Sequence, residues 1–367
     1  MGKKKAKGVP IKEELSAEEL LYKIRDTATA VLQDIRAHKN PGFDVPNRSS
    51  SNFIYDDKND VIYLGEKKSK RTFHNVATTT AFTQMLFVLS VLQEAAERKK
   101  HLTKREVYYQ DPELFNKDQN ASDNLLEDIA VTMGVTRPCI RVIAAAKGVC
   151  IGDLTLRERD DTFNCDSLGR GGWSISPFID EVDIMDTNSE YVLVVEKDAA
   201  LIRLIEEDFH KKNKCLLITG KGQPDIATRR LIRRLNKERG LPVYVLTDSD
   251  SYGMQICSSY KRGSISLSFE SSYLAVPTAK FLGLLPSDLD KFEVPKAARL
   301  EMTDWDMKKA QNMLKYPWIK NNKKWRSELQ LMIERREKAE LQALAKHGIT
   351  FMTDVYIPQK LETEDWI

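Results

Sequence analysis

Tyr191-Val-Leu-Val-Val195 runs directly into Glu196-Lys-Asp198, and Val243-Tyr-Val-Leu-Thr247 runs into Asp248-Ser-Asp-Ser-Tyr-Gly253. Between them, Cys215-Leu-Leu-Ile-Thr219 enters a glycine-rich turn, Gly220-Lys-Gly-Gln-Pro-Asp225, and then a helical pattern. Short runs rich in β-branched residues, separated by helical segments, predict parallel strands of an α/β sheet buried on both faces. Functional groups in such sheets collect beyond the carboxyl ends of the strands. Asp248 and Asp250 are two apart, so on an extended strand end they point the same way. Three carboxylates at one sheet edge repel each other unless a hard divalent cation lies among them, and oxygen-only ligation suits Mg²⁺. The plainer alternative is that Glu196 caps the next helix and Asp-Ser-Asp is a polar turn. The paired strand ends and Gly253 favour the metal.

The chain has 367 residues, 41% hydrophobic and 30% charged, which implies a globular protein of two or three domains. No apolar run in the sequence suggests a membrane span, and residues 1–7 lack the apolar centre of a signal peptide. Five cysteines without C-x-x-C spacing indicate neither a disulfide framework nor a zinc site, so a reducing, cytoplasmic setting is expected. A net charge of +3 is too small to establish a polyanion partner by itself. The glycine-rich turn is not a Walker A loop, because no Lys-Ser/Thr pair follows at the right spacing. The helix after it carries Arg229, Arg230, Arg233 and Arg234, either a solvated face or a set of phosphate neutralisers.

Before this core, a basic arm of about ten residues leads to Ser16-Ala-Glu-Glu19, a capping box opening an amphipathic helix to about His38. Leu20, Leu21, Ile24, Ala28, Val31, Leu32 and Ile35 form its apolar stripe, which packs on its own domain or docks a partner. A polar linker (39–51), a hairpin (52–65) and a basic connector (66–71) follow. A second long helix spans 76–100, with Phe82, Met85, Leu86, Val88, Leu89 and Leu92 inward. Thr103 and Glu106 form another capping box, so a short helix starts at Lys104 and stops before Pro112; of its adjacent Tyr108 and Tyr109, only one would be buried. Residues 122–147 read as helix-turn-helix, the second helix starting at Thr136 and Pro138 and presenting Arg137, Arg141 and Lys147. A strand pair over 148–156 would close a winged helix, although an αα-hairpin in an ordinary core fits equally well. Arg170, in the turn Gly169-Arg-Gly-Gly172, approaches phosphates or is merely exposed. Residues 264–268 and 273–276 read as further strands, and 286–346 as mostly helical.

Glu196 with Asp248-x-Asp250 resembles the signature of the Toprim domain of topoisomerases, primases and related nucleases. Adding Arg105-Glu-Val-Tyr-Tyr109, Val195-Glu-Lys-Asp-Ala199, Gly220-Lys-Gly-Gln-Pro-Asp-Ile-Ala-Thr-Arg-Arg230 and Asp248-Ser-Asp-Ser-Tyr-Gly253, the chain from about Phe73 onward resembles the A subunits of topoisomerase VI. These are type IIB DNA topoisomerases, related to the meiotic double-strand-break transesterase. Ser251 departs from the proline common at that position. The resemblance implies an α+β chain: an extension (1–72), a winged-helix domain (73–150) and an α/β Toprim domain with a mostly parallel sheet (151–367). It implies that Tyr109 is the nucleophile forming 5′-phosphotyrosyl ends, and that Glu196, Asp248 and Asp250 hold Mg²⁺. A tyrosine hydroxyl ordinarily ionises near pH ~10, and Arg105, one turn earlier, is the local group to orient phosphate. Arg137, Arg141, Lys147, Arg170, Lys221 and Arg229 are the candidate DNA contacts. The implied partners are double-stranded DNA, a second copy of the chain, and an ATPase B subunit in an A₂B₂ assembly at the nucleoid. ATP would be bound by the B subunit. A cleavage-only transesterase and a Toprim nuclease are the alternative activities.

Overall fold

The computed structural model describes residues 11–12 and 14–367; the basic arm expected at the start lies outside the described residues. Contacts divide the chain into two units, one comprising residues up to 56, 62–145 and 264–273, the other 57–61, 146–263 and 274–367.

In the first unit, α1 (Ala17–Arg36) begins at the expected capping box: the Ser16 hydroxyl accepts from the Glu19 N–H while Glu19 accepts from the Ser16 N–H. Leu20, Ile24 and Val31 enter one core with Phe82, Met85, Val88, Leu89 and Leu92 of α2 (Val76–Glu97). The apolar stripe of α1 therefore packs on its own unit, although Leu32, Ile35 and Leu86 of α2 remain exposed. The supposed polar linker and basic connector pair with each other. β1 (Gly42–Pro46) is antiparallel to β4 (Lys68–Thr72), with β2 (Phe53–Asp56) and β3 (Val61–Leu64) as the hairpin between them. This places residues 14–56 and 62–72 in the same unit as α2. Among the described residues, α2 is the one helix long and apolar enough to cross a membrane, contrary to the sequence expectation; here its apolar face fills the core.

After α2, β5 (Leu102–Thr103) leads into α3 (Lys104–Gln110), again with its capping box, and then α4 (Gln119–Thr132). The second helix expected over 136–147 does not form. A three-residue 3₁₀ turn, Pro138–Ile140, ends at Arg141 in the left-handed region (φ 59°). The chain then extends as β6 (Val142–Ile143), parallel to β5, with the Leu102 N–H donating to the Arg141 carbonyl. Ile140 and Val142 are both buried, so core packing on an extended backbone overrides the helical pattern.

The second unit is built on a six-stranded sheet. β7 (Val149–Ile151) joins it rather than closing a wing on α4, and β8 (Thr155–Glu158), β9 (Asp161–Asn164) and β11 (Val182–Asp186) form a separate antiparallel sheet. The six-stranded order is β10 (Trp173–Ser174), β7, β13 (Cys215–Thr219), β12 (Tyr191–Val195), β14 (Val243–Leu246) and β15 (Lys280–Gly283). β12 is parallel to both β13 and β14, and β14 to β15; the β7 and β10 edge is antiparallel. Parallel strands need crossovers, which α5 (Asp198–Glu206) with short α6 (Phe209–Lys212), α7 (Ile226–Arg239) and α8 (Ser251–Arg262) supply. Residues 264–268 and 273–276 are not strands: the chain there forms a 3₁₀ turn and the short helix Ser271–Leu274. All five cysteines are free and buried.

If α1 packs on its own unit, Ile24→Ala should lower stability by about 2–4 kcal/mol, while Leu32→Ala should leave it within about 0.5 kcal/mol. Urea unfolding of the two variants checks this.

Candidate active site

Glu196 follows β12 directly, and Asp248 and Asp250 follow β14, the strand paired with it, so adjacent parallel strands deliver all three acids to one sheet edge. The Asp248 N–H donates to Glu196 Oε2 at 3.0 Å. Asp250 caps α8, accepting from the Gly253 N–H at 2.7 Å. Gly253 is needed there because a Cβ would stand 2.3 Å from the Asp248 carbonyl oxygen. A strap from the carboxyl-terminal region holds the turn: Ser249 and Ala339 exchange backbone hydrogen bonds, and the Leu341 N–H donates to Asp248 Oδ1 at 2.9 Å. The strap also brings Lys338 and Glu340 to the cleft, of about 350 Å³, that the acids line.

The charge in this cleft is poorly balanced. Burial, with the Asp248 carboxylate beside it, pushes Glu196 up to about 7. Burial and Asp248 also raise Asp250, against the opposing Gly253 hydrogen bond. Lys197 meets Asp248 Oδ2 at 2.5 Å and Glu340 at 3.2 Å. Burial opposes its charge, but these carboxylates hold the ammonium above its ordinary range. Nearby, burial lowers Lys309 to about 8 even though Asp250, Asp306 and Glu196 favour its charge.

Among the described residues no three acid, histidine or cysteine side chains converge into a ready ligand cage. Lys197 already pairs with one oxygen of Asp248, balancing part of the acid charge. The donor chemistry nevertheless fits Mg²⁺: three carboxylates share a cleft in which one is driven toward neutrality.

The other expected residues fall elsewhere. Tyr109 is 67% exposed at the end of α3, whereas Tyr108 is half-buried against the first unit's core, its ring 6.3 Å from Phe115. Arg105 is exposed one turn before Tyr109. Arg137 is buried, 3.6 Å from Glu127, with its N–H bonded to Glu270; Arg229 is also buried. Neither can meet DNA in this state, because both serve the interior. Arg141 donates to the Lys100 carbonyl, while Arg170 pairs with Glu206 and Lys221 with Asp198. Lys147 is exposed, its ammonium on the Lys221 carbonyl. Arg230 and Arg234 of α7 are structural rather than solvated: Arg230 pairs with Asp180, and Arg234 donates to the carbonyls of Ile179 and Val182.

Two family models match the chain: residues 191–361 match the Toprim domain of the topoisomerase 6 A subunits and Spo11, and 80–142 match a type IIB DNA topoisomerase model. The A3 subunit of DNA topoisomerase 6 from Oryza sativa subsp. indica is 42% identical across 94% of this chain and 78% of its own length. The DNA topoisomerase 6 A subunit of Arabidopsis thaliana is 40% identical over 94% and 80%. The type 2 DNA topoisomerase 6 A subunit of Aeropyrum pernix is 37% identical over 98% and 97%.

Because the folded state holds the Glu196 proton more tightly than a free carboxyl does, its contribution to stability is intact at low pH and is lost as pH rises from about 4.5 through about 7. Glu196→Gln should therefore raise the melting temperature of the metal-free chain at pH 8, by an amount reflecting about 2–3 kcal/mol, with the difference fading toward pH 5. Added Mg²⁺ should raise the wild-type melting temperature at pH 8 and that of the variant much less.

Proposed function

The chain belongs to the family of topoisomerase 6 A subunits, the DNA-cleaving subunits of type IIB DNA topoisomerases, and on that footing we propose that its nucleophile is the Tyr109 hydroxyl. The observation that carries this reading is the division between neighbouring tyrosines: Tyr108 is half-buried against the core while Tyr109 presents its ring to solvent on a capped helix. The second is the more open to a DNA strand.

In the proposed step the Tyr109 oxygen attacks a backbone phosphorus. Its proton passes to water or a neighbouring base as the bond from phosphorus to the 3′ oxygen breaks, and the leaving 3′ oxygen takes up a proton from water. The strand is left with a 5′-phosphotyrosyl end and a 3′ hydroxyl, and the reverse attack reseals it without an energy cofactor. Arg105, four residues before Tyr109 on the same helix, has the charge and reach to steady the phosphate. Glu196, Asp248 and Asp250 would hold Mg²⁺, which supplies charge stabilisation at the phosphate and the leaving oxygen. Lys197 holds Asp248 in place and keeps part of the acid charge balanced until the cation arrives.

The order α2, β5, α3, α4, β6 supports reading this unit as a winged-helix variant with α3 and α4 as its helix-turn-helix, so we move the DNA-facing role from 136–147 to α3 and α4. We assign a homodimer in which Tyr109 of one chain serves the acids of the other. An ATPase B subunit completes the A₂B₂ enzyme that passes duplex DNA at the nucleoid.

The test is covalent trapping. The chain, its ATPase partner, an ATP analogue, Mg²⁺ and supercoiled DNA are mixed and quenched in denaturant. Protein should be attached to 5′ ends; Tyr109→Phe should abolish the attachment and Tyr108→Phe retain it. Arg105→Ala should slow cleavage roughly 10²-fold or more. Cutting without attachment would replace the transesterase with a hydrolytic nuclease.

A further inference from the structure

Tyr252 and Trp305 stack at the rim of the acidic cleft, ring centroids 5.4 Å apart and planes within 6° of parallel. Tyr252 lies in the first turn of α8, two residues after Asp250. Trp305 lies in the first turn of the helix Asp304–Met313, which starts at a capping box made by Thr303 and Asp306. Asp306 in turn pairs with the cleft residue Lys338 at 2.7 Å. Two helices anchored to the cleft thus bring the rings together. Lys309, one turn beyond Trp305, places its ammonium 3.0 Å from the centre of the Tyr252 ring.

The fold leaves the Trp305 ring of this platform open. Trp305 is 61% exposed, and Leu300, which also lines the cleft, is exposed. Large side chains left open together mark a binding surface rather than a core. A planar aromatic face, an ammonium and a carboxylate cleft suited to Mg²⁺ match the parts of a nucleotide: base, phosphate and metal-bound oxygen. Base–aromatic stacking tolerates any sequence, since every base has a π face.

Resting on the reading of the cleft as the Mg²⁺ site, we propose that the exposed ring of Trp305, backed by Tyr252, stacks the terminal base of the 3′ hydroxyl end of cleaved DNA, with Lys309 on its adjoining phosphate. Cleavage joins the 5′ end covalently to protein but leaves the 3′ end with no bond to it. That end also loses its stacking neighbour across the break. An aromatic face at the cleft replaces the neighbour and keeps the 3′ hydroxyl in place for resealing.

The test uses the full chain, Mg²⁺ and a duplex whose 3′-terminal base is 2-aminopurine, a base whose fluorescence falls on stacking. Wild-type protein should quench it; Trp305→Ala should lose the quench and bind the end roughly ten-fold more weakly, while Trp305→Phe keeps most of both. Equal quenching by wild type and Trp305→Ala, or none by wild type, overturns the proposal. So does a shift from dimer to monomer in Trp305→Ala with the quench unchanged, which would make the platform a contact between copies. Glu196→Gln, measured alongside, separates the two readings. Mg²⁺-dependent end binding that survives in Glu196→Gln contradicts the metal site, whatever Trp305→Ala does to the quench.

Discussion

Mutual repulsion among Glu196, Asp248 and Asp250 is the constraint around which the second unit is arranged. Placing β12 beside β14 in parallel register leaves the acids no choice but to share one edge. The fold answers with partial measures: the Asp248 N–H on Glu196, the Gly253 N–H on Asp250, the Leu341 N–H and the Lys197 ammonium on Asp248. Glu196 still ends up near 7. A protein that only needed stability would not keep three acids there, because neutral side chains would fill the same space at less cost. The unrelieved charge is the feature on which the proposed Mg²⁺ site rests.

Much of this was legible from local signals. The capping boxes at Ser16 and Thr103 mark their helices correctly because both partners lie three residues apart. The three apolar runs are strands β12, β13 and β14, since strands buried on both faces need continuous apolar sequence. Where pairing is long-range, the local pattern misleads. β1 and β4 look like linker and connector because their partner is about 25 residues away. Residues 136–147 carry helical periodicity, yet β5 needs a partner and the core needs Ile140 and Val142.

The site was legible in its acids and not in its surroundings. Asp248 and Asp250 announce themselves by spacing, but Lys338, Glu340 and the strap at Ala339 come from some 90 residues further on. Neither Tyr252 nor Trp305 belongs to a periodic pattern; only folding brings them into contact. Arginines were the least readable residues. Arg137 and Arg229 are buried, and Arg230 and Arg234 brace residues 179–182. An arginine-rich stretch in a DNA enzyme is thus no guide to its DNA contacts unless the carboxylates and carbonyls that fold against it are known.

An exposed tyrosine stands on a short capped helix of one unit, and an acidic cleft lies in the other. The central claim is that the working centre combines Tyr109 of one copy with Glu196 of another. It is tested most directly by mixing protomers. Tyr109→Phe and Glu196→Gln chains, each inactive alone, are combined with the ATPase partner and supercoiled DNA. A shared centre leaves one intact Tyr109–Glu196 pair per mixed dimer, so single-strand nicks bearing covalently attached protein should appear. Their complete absence from verified mixed dimers would place both residues of each centre on one chain and contradict the account.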